Sequence, residues 1–152
     1  MGTRYTEKGQ RFEFLVRRID EAIQAQYYIE ASSLTYALLE ERTYSLLDKL
    51  GITYKTKDKL FKCLEIFKKE IGKRNLAAGT VHCDLYDWLN SEFLVSGLVD
   101  RIDRWRKTRN NVTHDLAKES IAYEELEDFA EEGKKIFREY TALIMRLKKR
   151  LN

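Results

Sequence analysis

Residues 120–152 read SIAYEELEDFAEEGKKIFREYTALIMRLKKRLN. Small and apolar residues recur here at the spacing of one helix face: Leu126, Phe129, Gly133, Ile136, Tyr140, Leu143, Leu147 and Leu151. Acidic residues open the stretch and basic residues close it, which suits the dipole of an α-helix. The sequence therefore predicts a long amphipathic last helix that begins near Ser120 to Tyr123.

Two earlier stretches show the same periodicity. Residues 56–71 predict a helix with lysines on one side and, on the other, Leu60, Leu64, Phe67 and Ile71. Asp84 is a candidate N-cap for a further helix that reaches about Thr108.

The region from Arg11 to Leu50 contains no proline or glycine. A single helix of this length would be about 60 Å long, more than a compact domain usually accommodates. Two alternatives remain: one helix that bends near Ser32 and Ser33, or two helices joined tightly within residues 24–29. Gly51 is a plausible stop for either.

The 152 residues include no proline at all and only seven glycines. Proline clashes inside helices, so its absence favours a mostly helical chain. A length of this order is typical of one domain. We predict an all-α protein, an antiparallel bundle of four or five helices, as a single domain over residues 1–152.

Two cysteines, Cys63 and Cys83, are too few for a disulfide framework and favour a reducing compartment. No segment offers about 20 uncharged apolar residues, so no membrane partner is expected. The net charge of +3 is too small to identify a nucleic-acid partner by itself. We expect a cytoplasmic protein.

Familiar enzyme signatures are missing from the chain, including the GxxxxGK[ST] phosphate loop, GxGxxG, HExxH and GxSxG. Only two histidines are present, His82 and His114, so a zinc site with four ligands is hard to assemble. We predict neither a metal nor a cofactor.

One segment, residues 101–115, reads RIDRWRKTRNNVTHD, and its first nine positions hold five basic side chains and one acidic side chain. Asn110 and Asn111 form helices poorly, which predicts that the helix frays here and displays His114 on the connection to the last helix. A histidine can move protons while a nearby arginine holds a phosphate oxygen. The alternative is that Arg109 is a charge at a helix C-terminus and His114 caps the next helix.

Residues 109–114, RNNVTH, resemble the signature of the HEPN superfamily, an Arg followed after four to six residues by a His. In that family the residue after the Arg is often Asn, as Asn110 is here. The motif also lies between the last two long helices of a small helical bundle, which is its place in this sequence. The resemblance covers the architecture of the whole chain but only six residues as a specific motif.

The resemblance implies a metal-independent endoribonuclease that dimerises so that both copies contribute to one composite site. His114 would then be the general acid or base that activates the ribose 2′-hydroxyl, and Arg109 would bind the scissile phosphate. Asn110, and with it Thr113, would orient the motif or bond to phosphate. The products would carry a 2′,3′-cyclic phosphate and a 5′-hydroxyl.

Family members of this size commonly act as the toxin of a toxin–antitoxin pair or in phage defence, which implies an antitoxin protein as a possible partner. Two alternatives stay open. One is a non-catalytic HEPN-like module that binds RNA, a nucleotide or a protein. The other is an unrelated helical adaptor whose long last helix is its interaction surface.

Other basic residues are weaker candidates for RNA binding. Arg104, Arg106 and Lys107 could contact the RNA backbone, which requires positive charge rather than base recognition. Residues 55–74 carry eight basic and three acidic side chains and could extend the same groove. The alternative for both sets is an ordinary solvated face.

Aromatic residues have mainly structural interpretations. Tyr27 and Tyr28 precede Glu30, which could pair with Arg109 or Arg106, but core packing of the tyrosines is the simpler prediction. Trp88 and Trp105 are expected in the core or at a dimer interface. The acidic run over residues 119–132 argues against RNA on its face and could dock a basic partner instead.

Overall fold

The structure, a computed structural model, describes residues 2–74, 83–115 and 123–151. Its helices are α1 (Gly2–Gln24), α2 (Tyr28–Lys49), α3 (Leu60–Lys73), α4 (Cys83–Leu89), α5 (Leu98–Asp115) and α6 (Tyr123–Leu151), and a π-helical stretch, Asn90–Val95, extends α4. Every regular element in these ranges is helical, so the predicted all-α bundle is confirmed. None of the described helices combines the length and apolar character needed to cross a bilayer.

Helix α2 is the central element, because it contacts α1, α3, α5 and α6. It buries polar side chains without leaving their hydroxyls unpaired. Ser32, Thr35 and Thr43 each donate a hydrogen bond of 2.8 Å to the carbonyl four residues earlier. A buried hydroxyl with a partner costs little, so α2 can be surrounded by other helices.

The region between residues 11 and 50 forms two helices, the second of the two predicted alternatives. The backbone amides of Gln26 and Tyr27 donate to carbonyls in the last turn of α1 at 3.0 and 2.7 Å. Gln26 adopts a left-handed conformation with φ of 68°. This arrangement is a Schellman motif, which ends α1 and reverses the chain. Helix α2 stops before Gly51, as predicted.

Helix α3 begins at Leu60, so the predicted start at Thr56 is wrong. The backbone amide of Lys55 donates to a carboxylate oxygen of Asp58 at 2.8 Å and holds this segment in a turn. The amide of Leu60 donates to the Glu40 carboxylate of α2 at 3.1 Å. This cap comes from another helix, and local sequence cannot reveal it.

The single helix predicted from Asp84 to Thr108 is also wrong. Cys83 is already helical, so Asp84 lies inside α4 rather than at its cap. The chain then passes through the π-helical stretch and breaks at Gly97, whose φ is +85°. A left-handed backbone cannot continue an α-helix, so α5 starts afresh at Leu98.

Helix α6 buries the stripe that the sequence predicts. Buried positions are Leu126, Gly133, Ile136, Tyr140, Leu143 and Leu147, while Phe129 and Leu151 are half-buried. Rings from three elements meet beside it: Phe93 lies 6.2 Å from Tyr140 and 5.3 Å from Phe67, both edge-on. This part of the core therefore lies between α3, α6 and the π-helical stretch.

Candidate functional site

Helix α5 carries the residues predicted to act on RNA, and its orientation is fixed by contacts with α6. The indole of Trp105 donates a 3.0 Å hydrogen bond to the carbonyl of Phe129 and stacks on its ring at 4.8 Å. One turn earlier, Arg101 forms an ion pair of 2.7 Å with Glu139. The order of these contacts shows that α5 and α6 run antiparallel.

The predicted fraying after Arg109 is wrong, because α5 continues through both asparagines to Asp115. Val112 packs against the hydrophobic core, and this contact outweighs the poor helix propensity of Asn110 and Asn111. His114 therefore lies exposed in the last described turn of α5 rather than on a loop.

Arg109 is half-buried and lies against α2. Its guanidinium carbon is 4.5 Å from the centre of the Tyr36 ring, a cation–π contact. Its Nη1 atom lies 3.5 Å from the side-chain oxygen of Asn110. Burial, with a contribution from Glu40, raises the pKa of Tyr36, so this tyrosine stays neutral beside the cation.

Arg106 occupies a similar position against α3. Its guanidinium carbon is 4.8 Å from the centre of the Phe61 ring, and its Nη2 atom is 3.0 Å from the carboxylate of Asp103. The ammonium of Lys107 lies 3.4 Å from the other oxygen of the same carboxylate. One acidic residue therefore offsets part of the charge of two cations.

Lys107, Asn110 and His114 are all exposed. Residues three or four apart share one helix face, so these three form a stripe along α5 with Asp103 at its start. Arg109 is five residues from His114, which separates them by about 140° around the helix. Within one chain, the predicted catalytic pair therefore faces two different sides of α5.

Arg104 lies on a third side of the helix. It lines a cavity of about 400 Å³ between α5 and α6, together with Thr108 and two acidic residues of α6, Asp128 and Glu132. The cavity is therefore lined by both basic and acidic side chains. The structure does not bring Arg104 together with His114.

The side chain of Thr113 lies outside the part of the chain that the structure describes. Across the ranges 2–74, 83–115 and 123–151, no group of three or more His, Cys, Asp and Glu side chains is arranged to hold a metal ion.

Two residues at this site, Tyr36 and Phe61, were missed by sequence reasoning. The sequence gives only a weak indication that Phe61 is exposed, because it is a large apolar residue outside the apolar stripe predicted for α3. The structure does not bring Glu30 to Arg109 or Arg106, the pairing considered as an alternative, because Glu30 is exposed and lines a separate cavity of about 690 Å³ at the α1–α2 turn. Of the two tyrosines before it, Tyr28 is buried as predicted, whereas Tyr27 is 60% exposed.

Both tryptophans have packing roles. Trp105 is buried. Trp88 is half-buried, meets Phe93 edge-on at 6.1 Å and is covered by the Arg150 guanidinium at 4.6 Å. Trp105 is thus a core residue, as predicted.

Comparison with known proteins finds no family model, no curated protein and no solved structure that matches the chain.

Proposed function

We propose that this chain is a metal-independent endoribonuclease of the HEPN type. The observation that carries the proposal is the stripe on α5, where the exposed imidazole of His114 follows Asn110 and Lys107 on one face, with Arg106 at its edge. An imidazole exchanges protons near neutral pH, and the neighbouring side chains supply the positive charge and hydrogen bonds that a phosphate requires.

The reaction follows from these groups. A neutral His114 accepts the proton of the ribose 2′-hydroxyl, and the oxygen attacks the adjacent phosphorus. The bond to the 5′-oxygen breaks, that oxygen takes up a proton from water, and the imidazolium of His114 returns its proton to the solvent. One product ends in a 2′,3′-cyclic phosphate and the other begins with a 5′-hydroxyl. No metal is required for any of these steps.

Arg109 enters this scheme through a second copy of the chain. It faces a different side of α5 from His114, so the proposed site is composite: the motifs of two chains lie side by side, and both contribute to one cleft. Arg109 then binds the scissile phosphate and stabilises its developing charge. Asn110 holds the guanidinium through its side-chain oxygen, 3.5 Å away.

The biological role rests on the likeness of residues 109–114 to the family signature. We propose a cytoplasmic toxin or phage-defence nuclease, restrained by an antitoxin protein. Arg106 and Lys107 would contact the RNA backbone near the site. Arg104 and Thr113 are further candidates for such contacts.

The decisive experiment is incubation of the purified protein with mixed RNAs in EDTA. We expect cleavage that disappears in His114→Ala and in Arg109→Ala, with both variants folded by circular dichroism. Arg138→Ala, which removes an exposed arginine from α6, is the matched control and should cleave normally. Cleavage that survives both motif substitutions would exclude the proposal.

Oligomeric state tests the composite site separately. Sedimentation should give a dimer at the concentrations where cleavage is observed. Mixing inactive His114→Ala with inactive Arg109→Ala should restore activity, because a mixed dimer contains one intact pair of motif residues. A fully active monomer would contradict this arrangement.

A second candidate function is an RNA-binding module without catalysis. It is favoured by the stacking of Arg109 on Tyr36, which holds the guanidinium away from His114 within the chain. This alternative predicts RNA retention that weakens with salt and no strand scission at any protein concentration.

A further inference from the structure

Phe61 is an exposed aromatic residue at the start of α3. It is the second residue of the helix and remains 43% exposed, although the preceding Leu60 is completely buried. The exposed part of the ring can therefore contact a ligand.

A guanidinium is already stacked on this ring. Arg106 lies 4.8 Å from its centre and is held there by two hydrogen-bonding contacts of 3.0 Å to Asp103. The side chain of Arg106 is only 13% exposed, so its position is set by packing as well as by charge. Because Arg106 is already held in place, little further entropy is lost when a planar group stacks beside it.

Exposed cations lie close to Phe61 in the sequence. Lys57, Lys59 and Lys62 flank Phe61 along the chain and are all exposed. Lys107 follows Arg106 on α5. A ligand that combines a planar ring with phosphate groups uses both features, whereas an apolar peptide would leave the cations unused. A nucleotide has this combination.

We propose that Phe61 and Arg106 form a subsite for a single unpaired nucleobase. The base stacks on the exposed part of the ring, and its phosphate lies among the neighbouring lysines. This inference rests on the proposed RNA function for the identity of the polymer and adds a residue that selects for an unstacked base.

The subsite lies at a fixed distance from His114 along α5. Arg106, Asn110 and His114 are four residues apart in succession and therefore lie along one side of α5. Eight residues correspond to about 12 Å along the helix axis. The bound base is thus a neighbour of the cleaved linkage and is not part of it.

Binding of short oligonucleotides tests the subsite without cleavage. The 2′-O-methyl form of RNA lacks the attacking hydroxyl, so the wild-type protein can be used, and fluorescence anisotropy gives the dissociation constant. We expect Phe61→Ala to weaken binding about tenfold and Phe61→Trp to preserve it, because stacking depends on ring area. Phe14→Ala, which removes a phenylalanine that is 53% exposed on α1, is the matched control and should have no effect.

An abasic position moved along the oligonucleotide identifies the stacked base. One position should weaken wild-type binding about as much as Phe61→Ala does. The Phe61→Ala variant should bind this abasic oligonucleotide as tightly as it binds the intact one, because the stacking contact is already lost. Equal binding of the wild-type protein and Phe61→Ala, or an abasic penalty that persists in the variant, would overturn the subsite while leaving the nuclease proposal intact. Absence of RNA binding by the wild-type protein would overturn both.

Discussion

The indole ring of Trp105 lies directly on the backbone of Gly133. A Cβ atom at residue 133 would come within 2.4 Å of the ring carbon Cζ2, so only glycine permits this approach of α5 to α6. The contact fixes the rotation of α5 about its axis. That rotation in turn determines that Arg109 faces α2 while Lys107 and His114 face solvent.

Gly133→Ala should therefore destabilise the protein. The added methyl group must displace a buried indole that is also hydrogen-bonded to Phe129, and such overpacking costs about 1–3 kcal/mol. Urea unfolding measures the loss. Gly72→Ala is the control, since nothing lies within 4 Å of a Cβ there and the change within α3 should be neutral or stabilise by up to about 1 kcal/mol. Equal effects of the two substitutions would show that the close contact is absent.

A buried hydrogen bond joins α2 to α6 through Thr43 and Tyr140. The Thr43 hydroxyl donates its proton to the Leu39 carbonyl at 2.8 Å, so the Tyr140 hydroxyl is the donor in the 2.8 Å bond between the two side chains. Burial raises the pKa of Tyr140, which keeps this donor protonated.

The two partners should respond unequally to substitution. Thr43→Val leaves a completely buried tyrosine hydroxyl without its partner and should cost about 1–3 kcal/mol. Tyr140→Phe leaves Thr43 bonded to Leu39 and should cost roughly 0.5–1.5 kcal/mol. The double variant should be more stable than Thr43→Val alone, because neither polar group is then left unpaired. Additive losses in denaturant unfolding would contradict this account.

Cys63 should make stability depend on alkaline pH. Burial raises the pKa of its thiol from 9.0 to about 11, with Asp58 and Glu40 adding to the effect. Between these values the unfolded chain loses a proton that the folded protein keeps. The free energy of unfolding should therefore be unaffected by this group below pH 9 and should fall by at most about 1.4 kcal/mol per pH unit up to pH 11.

Thermal unfolding of the wild-type protein and of Cys63→Ala across this range measures the effect. The variant should begin less stable, since it leaves a small cavity, but its stability should fall less steeply between pH 9 and 10. In that interval the ordinary tyrosine pKa of 10.0 has not yet been passed. Parallel curves for the two proteins would contradict the assignment.

Asp103 should limit RNA affinity. Its carboxylate lies 3.0 Å from Arg106 and 3.4 Å from Lys107, so it competes with phosphate for both cations. Asp103→Asn should strengthen RNA binding several-fold at low salt, and the gain should shrink as salt is raised. Filter binding over a series of salt concentrations measures both.

Glu139→Gln is the matched control for this prediction. It makes the same change in net charge and releases Arg101 on the side of α5 that faces α6. Equal strengthening by the two substitutions would mean that overall charge, rather than the stripe on α5, determines RNA affinity.

The buried residues of a helix could be predicted from the sequence where a single apolar face packs against the core. The stripe of α6 is the clearest example, because the apolar spacing of a helix is preserved whatever it packs against. Prediction from the sequence failed at the start of α3, where Glu40 of another helix supplies the cap, and at Asn110 and Asn111, where packing of Val112 extends a helix beyond its local propensity. For the candidate site, the positions of the basic residues and of His114 could be read from the chain, whereas the aromatic partners could not.

The amino-acid order alone established a helical protein with basic clusters over residues 55–74 and 101–109, since helix periodicity and charge are local properties of a chain. Only packing in three dimensions assigned each cation to a surface. Tyr36 and Phe61 contact arginines that are far from them in the sequence. The rotation of α5 depends on Gly133, which follows Trp105 by 28 positions. Contacts between separate helices depend on how their surfaces fit, and a linear pattern carries no measure of that fit.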